Sequence, residues 1–95
     1  MNERFSRTAR LIGENALEKL KSSSVLIFGV GGVGSYIAES LARSGVGHIC
    51  IVDGDSVSES NINRQAQATT LTVGQSKADA MAERLRLINP DIDVK

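Results

Sequence analysis

Val25-Leu26-Ile27-Phe28-Gly29-Val30-Gly31-Gly32-Val33-Gly34 is the stretch on which the reading of this chain turns. Its first four residues are apolar without a break. Such a run predicts a strand covered on both faces, as in the centre of a parallel sheet. The next six fit the spacing G-x-G-x-x-G at Gly29, Gly31 and Gly34, with Gly32 as a further glycine. Gly29 permits a tight turn, Gly31 lets the backbone come close to a bound group, and Gly34 lets the next helix pack on the strand. That helix is expected at once. Val33, Ile37, Ala38, Leu41 and Ala42 recur at helical spacing, and Gly45 supplies a C-terminal stop.

A strand, a glycine turn and a helix start form an anion site, because the first N–H groups of a helix have no internal partner. The phosphates of a nucleotide suit it. Downstream, His48-Ile49-Cys50-Ile51-Val52 reads as a second strand. Asp53, at its end, is suited to accept from a ribose hydroxyl. Taken this far, the pattern describes a dinucleotide-dependent oxidoreductase.

Further out, Glu3 to Leu20 carries Ala9, Ile12, Ala16, Leu17 and Leu20 at helical spacing, and Gly13 predicts a break between two short helices. Ser76 is placed to cap a helix, with Asp79 three residues on. Ala78, Met81, Ala82, Leu85 and Ile88 mark its buried stripe, and Asn89-Pro90 ends it. Ile92 and Val94 open a third strand. The fold class is therefore α/β: the βαβαβ part of a Rossmann-like parallel sheet, preceded by an N-terminal helical segment. Residues 1–95 read as the N-terminal part of a single domain that continues beyond Lys95. An open sheet edge predicts association into a dimer.

Eleven basic residues balance eleven acidic ones, so no net field draws the chain to nucleic acid or to an anionic membrane. The polar start is not a signal peptide, and no apolar stretch is long enough to cross a bilayer. Cys50, the single cysteine, allows no disulfide within the chain and no zinc site of paired cysteines, which fits a cytoplasmic protein. Cys50 and His48 are expected to be structural, Cys50 within the core.

Gly54 to Val73 is polar with no helical stripe, where a dehydrogenase would turn soon into its next helix. Arg64 on this segment and Lys77 in the first turn of the next helix suit a triphosphate better than a dinucleotide. Arginine grips two phosphate oxygens at once, while lysine adds a point charge beside the positive end of the helix.

These residues carry a resemblance. Gly29-x-Gly31-Gly32-x-Gly34, Asp53-Gly54-Asp55, Ser60-Asn61-x-Asn63-Arg64-Gln65 and Val73-Gly74-Gln75-x-Lys77 resemble the ubiquitin-activating-enzyme-like adenylyltransferases of the ThiF/MoeB/HesA type. The likeness runs from Arg4 to Val94. It implies an enzyme that binds ATP and Mg²⁺, adenylates a carboxylate and releases pyrophosphate. The glycine turn would hold the α-phosphate region and Asp53 the ribose. Asn61, Arg64 and Lys77 would contact phosphates, and Asp55 and Asn63 belong to the same nucleotide-binding set. Arg7 matches an arginine that reaches the γ-phosphate across a homodimer interface, giving a catalytic set of Arg7, Arg64 and Lys77. The resemblance assigns no metal ligand here; the Mg²⁺ aspartate would lie past Lys95.

Thr8-Ala9-Arg10-Leu11-x-Gly13 and Met81-Ala82-Glu83-Arg84-x-Arg86-x-Ile88-Asn89-Pro90 are most similar to the branch that cyclises threonylcarbamoyladenosine in tRNA. That implies a tRNA partner. A ubiquitin-like sulfur-carrier protein is the neighbouring alternative, and a non-catalytic nucleotide-binding module is a third.

Overall fold

The computed structural model describes residues 3–95. A short 3₁₀ turn at Glu3–Phe5 leads into α1 (Ser6–Ile12) and α2 (Glu14–Ser22). β1 (Ser24–Phe28), α3 (Gly32–Ser44) and β2 (His48–Val52) follow, then a long loop, α4 (Lys77–Ile88) and β3 (Asp93–Val94). Gly13 separates α1 from α2 as expected, with φ 86°. Gly45 caps α3 in the left-handed region. Ser76 Oγ accepts the Asp79 N–H at 3.3 Å and starts α4. Asn89, ahead of Pro90, is extended and stops it.

The three strands are parallel in the order β1-β2-β3, with Leu26 opposite Cys50 and Phe28 opposite Val52. Successive right-handed crossovers in one direction put both connecting helices on the same face of the sheet. Ile27, Ile49, Ile51 and Val94 therefore meet Ala38, Ala42, Met81 and Leu85 in one core.

Within residues 3–95 that arrangement differs from three expectations. Among residues 3–95, β1 is at one edge of the sheet and not at its centre, and these residues cover only one of its faces. Leu26 is 54% and Phe28 76% exposed. Cys50 is exposed as well. Strand alternation turns it to the uncovered face, beside Leu26, while Ile49 and Ile51 face the core. On α3 the buried line is Ser35, Ala38 and Ala42, and Val33 and Ile37 point outward with Tyr36.

The long loop is not simply solvated. Its base is closed where Val57 N–H donates to Gln75 O at 2.8 Å, Gly74 N–H to Val57 O at 2.9 Å and Lys77 N–H to Asp55 O at 2.9 Å. Val57, Ala68 and the α4 residue Ala80 make a small apolar cluster beneath it. Asn61, Gln65 and Gln67 are buried.

Candidate nucleotide-phosphate site

Gly29 leaves β1 with φ 89°, a conformation in which a side chain is strained. Its N–H donates to Val52 O at 2.8 Å, so the turn begins from the C-terminal end of the sheet. Gly34, one turn into α3, sits against that same residue: a Cβ on it would lie 2.0 Å from Gly29 O. The helix can approach the strand only because this position has no side chain. Gly31 is the N-cap of α3, with no side chain capping it, so the first N–H groups of the helix are open to an anion.

Asp53 binds the protein itself. Its Oδ2 accepts the Val30 N–H at 2.9 Å and its Oδ1 the Asp55 N–H at 2.8 Å. The carboxylate thus ties β2 to the glycine turn. Each oxygen retains lone-pair capacity for a hydroxyl donor.

The loop brings Arg64 to the turn. Its carbonyl oxygen lies 3.8 Å, and its Cγ 3.9 Å, from where a Cβ on Gly32 would stand. The guanidinium is exposed, and its Nη1 donates to Ser60 O at 3.0 Å and Asn63 Oδ1 at 2.9 Å. Asn63 therefore steadies Arg64. Asn61 has a job of its own: its Oδ1 accepts from Ser58 N–H at 2.9 Å and Ser58 Oγ at 3.0 Å, capping the 3₁₀ turn Glu59–Asn61.

Lys77 is buried at the start of α4. Its Nζ lies 4.0 Å from Asp55 Oδ2, a long pair in which the aspartate is 80% exposed. A pair so open to water contributes little to stability, but it shows where the ammonium points. Asp55 is bonded to Asp53, and Asp53 to the turn, so one chain of contacts links Lys77 to Val30.

Arg7 is not brought to this place. Phe5 and Leu17 pack against Gly45, at the far end of α3. A helix of 13 residues, about 20 Å long, separates that end from the glycine turn.

Sequence reading missed Ser35 and Gln67. Ser35 Oγ, fully buried, accepts the Ala66 N–H at 3.1 Å. Gln67 Nε2 donates to Val30 O at 2.8 Å. Gln67 clasps the loop to the turn, and Ser35 clasps it to the start of α3. A faint signal existed in Gln65-Ala66-Gln67-Ala68, where amides alternate with small residues and all four are buried.

A cavity of about 460 Å³, lined in part by Leu17, Lys21, Gly47, His48 and Asp91, lies at the start of β2. It includes no residue of the glycine turn, and neither Asp53, Arg64 nor Lys77. Ligands of open α/β sheets bind beyond the carboxyl ends of the strands, and this cavity is at the other end. Among the described residues no group of three or more His, Cys, Asp or Glu could hold a metal ion. No helix among them is long and apolar enough to cross a membrane.

A parallel sheet whose first strand runs through a glycine turn into a helix places the chain in the class of Rossmann-like α/β proteins. Within that class it belongs to the ThiF family, whose model matches residues 5–95. The chain is 53% identical over 94 residues to tRNA threonylcarbamoyladenosine dehydratase of Bacillus subtilis (strain 168), covering 99% of this chain and 37% of that protein. It is 41% identical over 95 residues to Protein HesA, heterocyst, of Trichormus variabilis, covering 98% of this chain and 36% of that protein. The crystal structure of E. coli tRNA N6-threonylcarbamoyladenosine dehydratase, TcdA, in complex with ATP matches it with a TM-score of 0.95 at 48% identity, covering 98% of this chain and 38% of that one. The chain thus spans a little over a third of the length of these relatives.

Proposed function

We propose that residues 1–95 are the N-terminal part of an ATP-binding domain in an enzyme that adenylates a carboxylate, within the branch that cyclises threonylcarbamoyladenosine in tRNA. The observation that carries this reading is the fit to the ATP complex of the E. coli relative over 98% of this chain. A carboxylate oxygen of the substrate attacks the α-phosphorus of ATP. The bond from that phosphorus to the bridging oxygen breaks, and pyrophosphate leaves. Ring closure on the activated carboxyl then expels AMP. Such chemistry depends on placing reactants and stabilising charge rather than on a strong base.

In this reading the N–H groups at Gly31 and Gly32 face the α-phosphate region, with Gly29 and Gly34 shaping the turn, and Asp53 accepts from the ribose. Lys77 and Arg64 neutralise the charge that grows on the departing pyrophosphate. Arg64 exchanges its contacts with Ser60 O and Asn63 for phosphate oxygens. Asn61 and Asn63 support it, and Asp55 holds the Lys77 ammonium until ATP arrives. Arg7 comes from a second copy of the chain, which agrees with its distance from the turn of its own copy. tRNA is the partner, and the cytoplasm is the compartment that a lone thiol suits. Magnesium enters by family resemblance alone: the residues described here do not make a site for it, and no step above passes through a metal ion.

The test is pyrophosphate release by the whole protein with ATP and unmodified or threonylcarbamoylated tRNA. Arg64→Ala and Lys77→Ala should each slow release by about 100-fold while the proteins stay folded by circular dichroism. Wild-type rates in both variants would overturn the assignment. Release triggered by a sulfur-carrier protein and not by tRNA would move the enzyme to the neighbouring branch. A melting temperature raised by NADH and not by ATP would reject adenylation altogether.

A further inference from the structure

Val30 lies in the middle of the glycine turn, fully buried, and both of its polar groups are held by residues distant in sequence. Its N–H donates to Asp53 Oδ2 at 2.9 Å. Its carbonyl accepts from Gln67 Nε2 at 2.8 Å. The same nitrogen donates to Gln65 Oε1 at 3.1 Å. Both neighbours of Nε2 are acceptors, so the amide has only one workable orientation. Turned over, Oε1 would face two oxygens. In the orientation present, Oε1 is buried with no partner among the described residues. Stranding an amide oxygen is unfavourable, and an apolar side chain of similar length would fill the space without doing so. The donor end of Gln67 is therefore what this position supplies.

The Val30 carbonyl and the Gly31 N–H belong to one planar trans peptide, in which they point in opposite directions. Fixing the carbonyl toward Gln67 fixes the Gly31 N–H away from it. That N–H has no acceptor among the described residues. Within the turn no hydrogen bond holds either polar group of this peptide. Rotation changes ψ at Val30 and φ at Gly31, and glycine accepts positive φ as readily as negative. A turn that must be glycine to let a ligand approach is also free to aim its N–H the wrong way.

We propose that Gln67 is a positioning residue for phosphate binding: its amide locks the Val30–Gly31 peptide so that the Gly31 N–H is presented to the nucleotide's phosphate. This rests on the ATP-binding reading above and adds a specific control on it. Gln67 touches no ligand; it acts through the backbone of the turn.

The experiment is calorimetric titration of the whole protein with ATP and, separately, with adenosine. Gln67→Met keeps the length of the side chain and removes the donor. ATP affinity should fall about tenfold or more, the scale of losing a charge-assisted hydrogen bond, while adenosine affinity stays within twofold. Unchanged ATP affinity in folded Gln67→Met overturns the proposal, and so does an equal loss for ATP and adenosine, which would report general damage. Should that variant fail to fold, wild-type protein labelled with ¹⁵N decides: the Gly31 amide resonance must shift when ATP is added, and an unmoved resonance overturns the proposal. Wild-type protein that does not bind ATP at all would overturn the ATP-binding reading itself. Wild-type binding with no loss in Gln67→Met removes only the role of Gln67.

Discussion

The glycine turn and the loop from Gly54 to Gly74 lie against each other, yet they hold their shapes by opposite means. The turn is defined by absent side chains. Gly29 takes a positive φ, and Gly34 leaves room for a backbone oxygen that any Cβ would strike. The loop is defined by side chains that replace a missing backbone ladder. Asn61 caps its 3₁₀ turn, and Thr72 Oγ1 accepts the Thr69 N–H at 2.8 Å and donates to Gln67 O at 2.7 Å. Gln67 then fastens it to the turn, and Ser35 to the start of α3. A segment held by small volume fails through a single added carbon. A segment held by many polar contacts loses its order in steps.

Three substitutions press on that contrast. Gly34→Ala should have the largest effect, because its Cβ would stand 2.0 Å from a main-chain oxygen and neither partner is a flexible side chain. We expect a loss of more than about 3 kcal/mol, read as urea unfolding or as insoluble expression; a near-normal midpoint would break the contrast at its strongest point. Asn61→Ala should cost about 1–2 kcal/mol, the scale of a lost cap, and faster amide exchange should be confined to the loop. Gly32→Ala sharpens the comparison from within the turn. Its Cβ would meet Arg64 only at ordinary contact distance, 3.8 Å or more, and the backbone there is not left-handed. Its melting midpoint should correspond to a change within about 0.5 kcal/mol.

The same contrast governs what could be read without coordinates. The strand–turn–helix unit was legible because its information is local: an apolar run, glycines at fixed spacing, then a helical stripe. The Ser76 cap and the stop at Asn89-Pro90 were legible for that reason as well. Sidedness was not. Val25 to Phe28 is apolar at every position, so the sequence carries no phase to say which face is covered, and the answer depends on both crossovers taking the same hand. Cys50 was misplaced by the same ambiguity. The clasp residues were hidden differently. Ser35 finds Ala66 across 31 positions, and Gln67 finds Val30 across 37. A buried amide oriented by two distant acceptors leaves no periodic trace. The candidate phosphate-binding residues Arg64 and Lys77 were picked out by charge and helix position, but their present partners, Ser60, Asn63 and Asp55, were not.

The outward turn of Cys50 has a practical consequence. It is the chain's single thiol, and it stands on the middle strand of the sheet's bare side. A thiol-selective alkylating reagent therefore samples one spot only. Its labelling rate would serve as a gauge of that surface, fast while water reaches the strand and slow once other polypeptide lies over it.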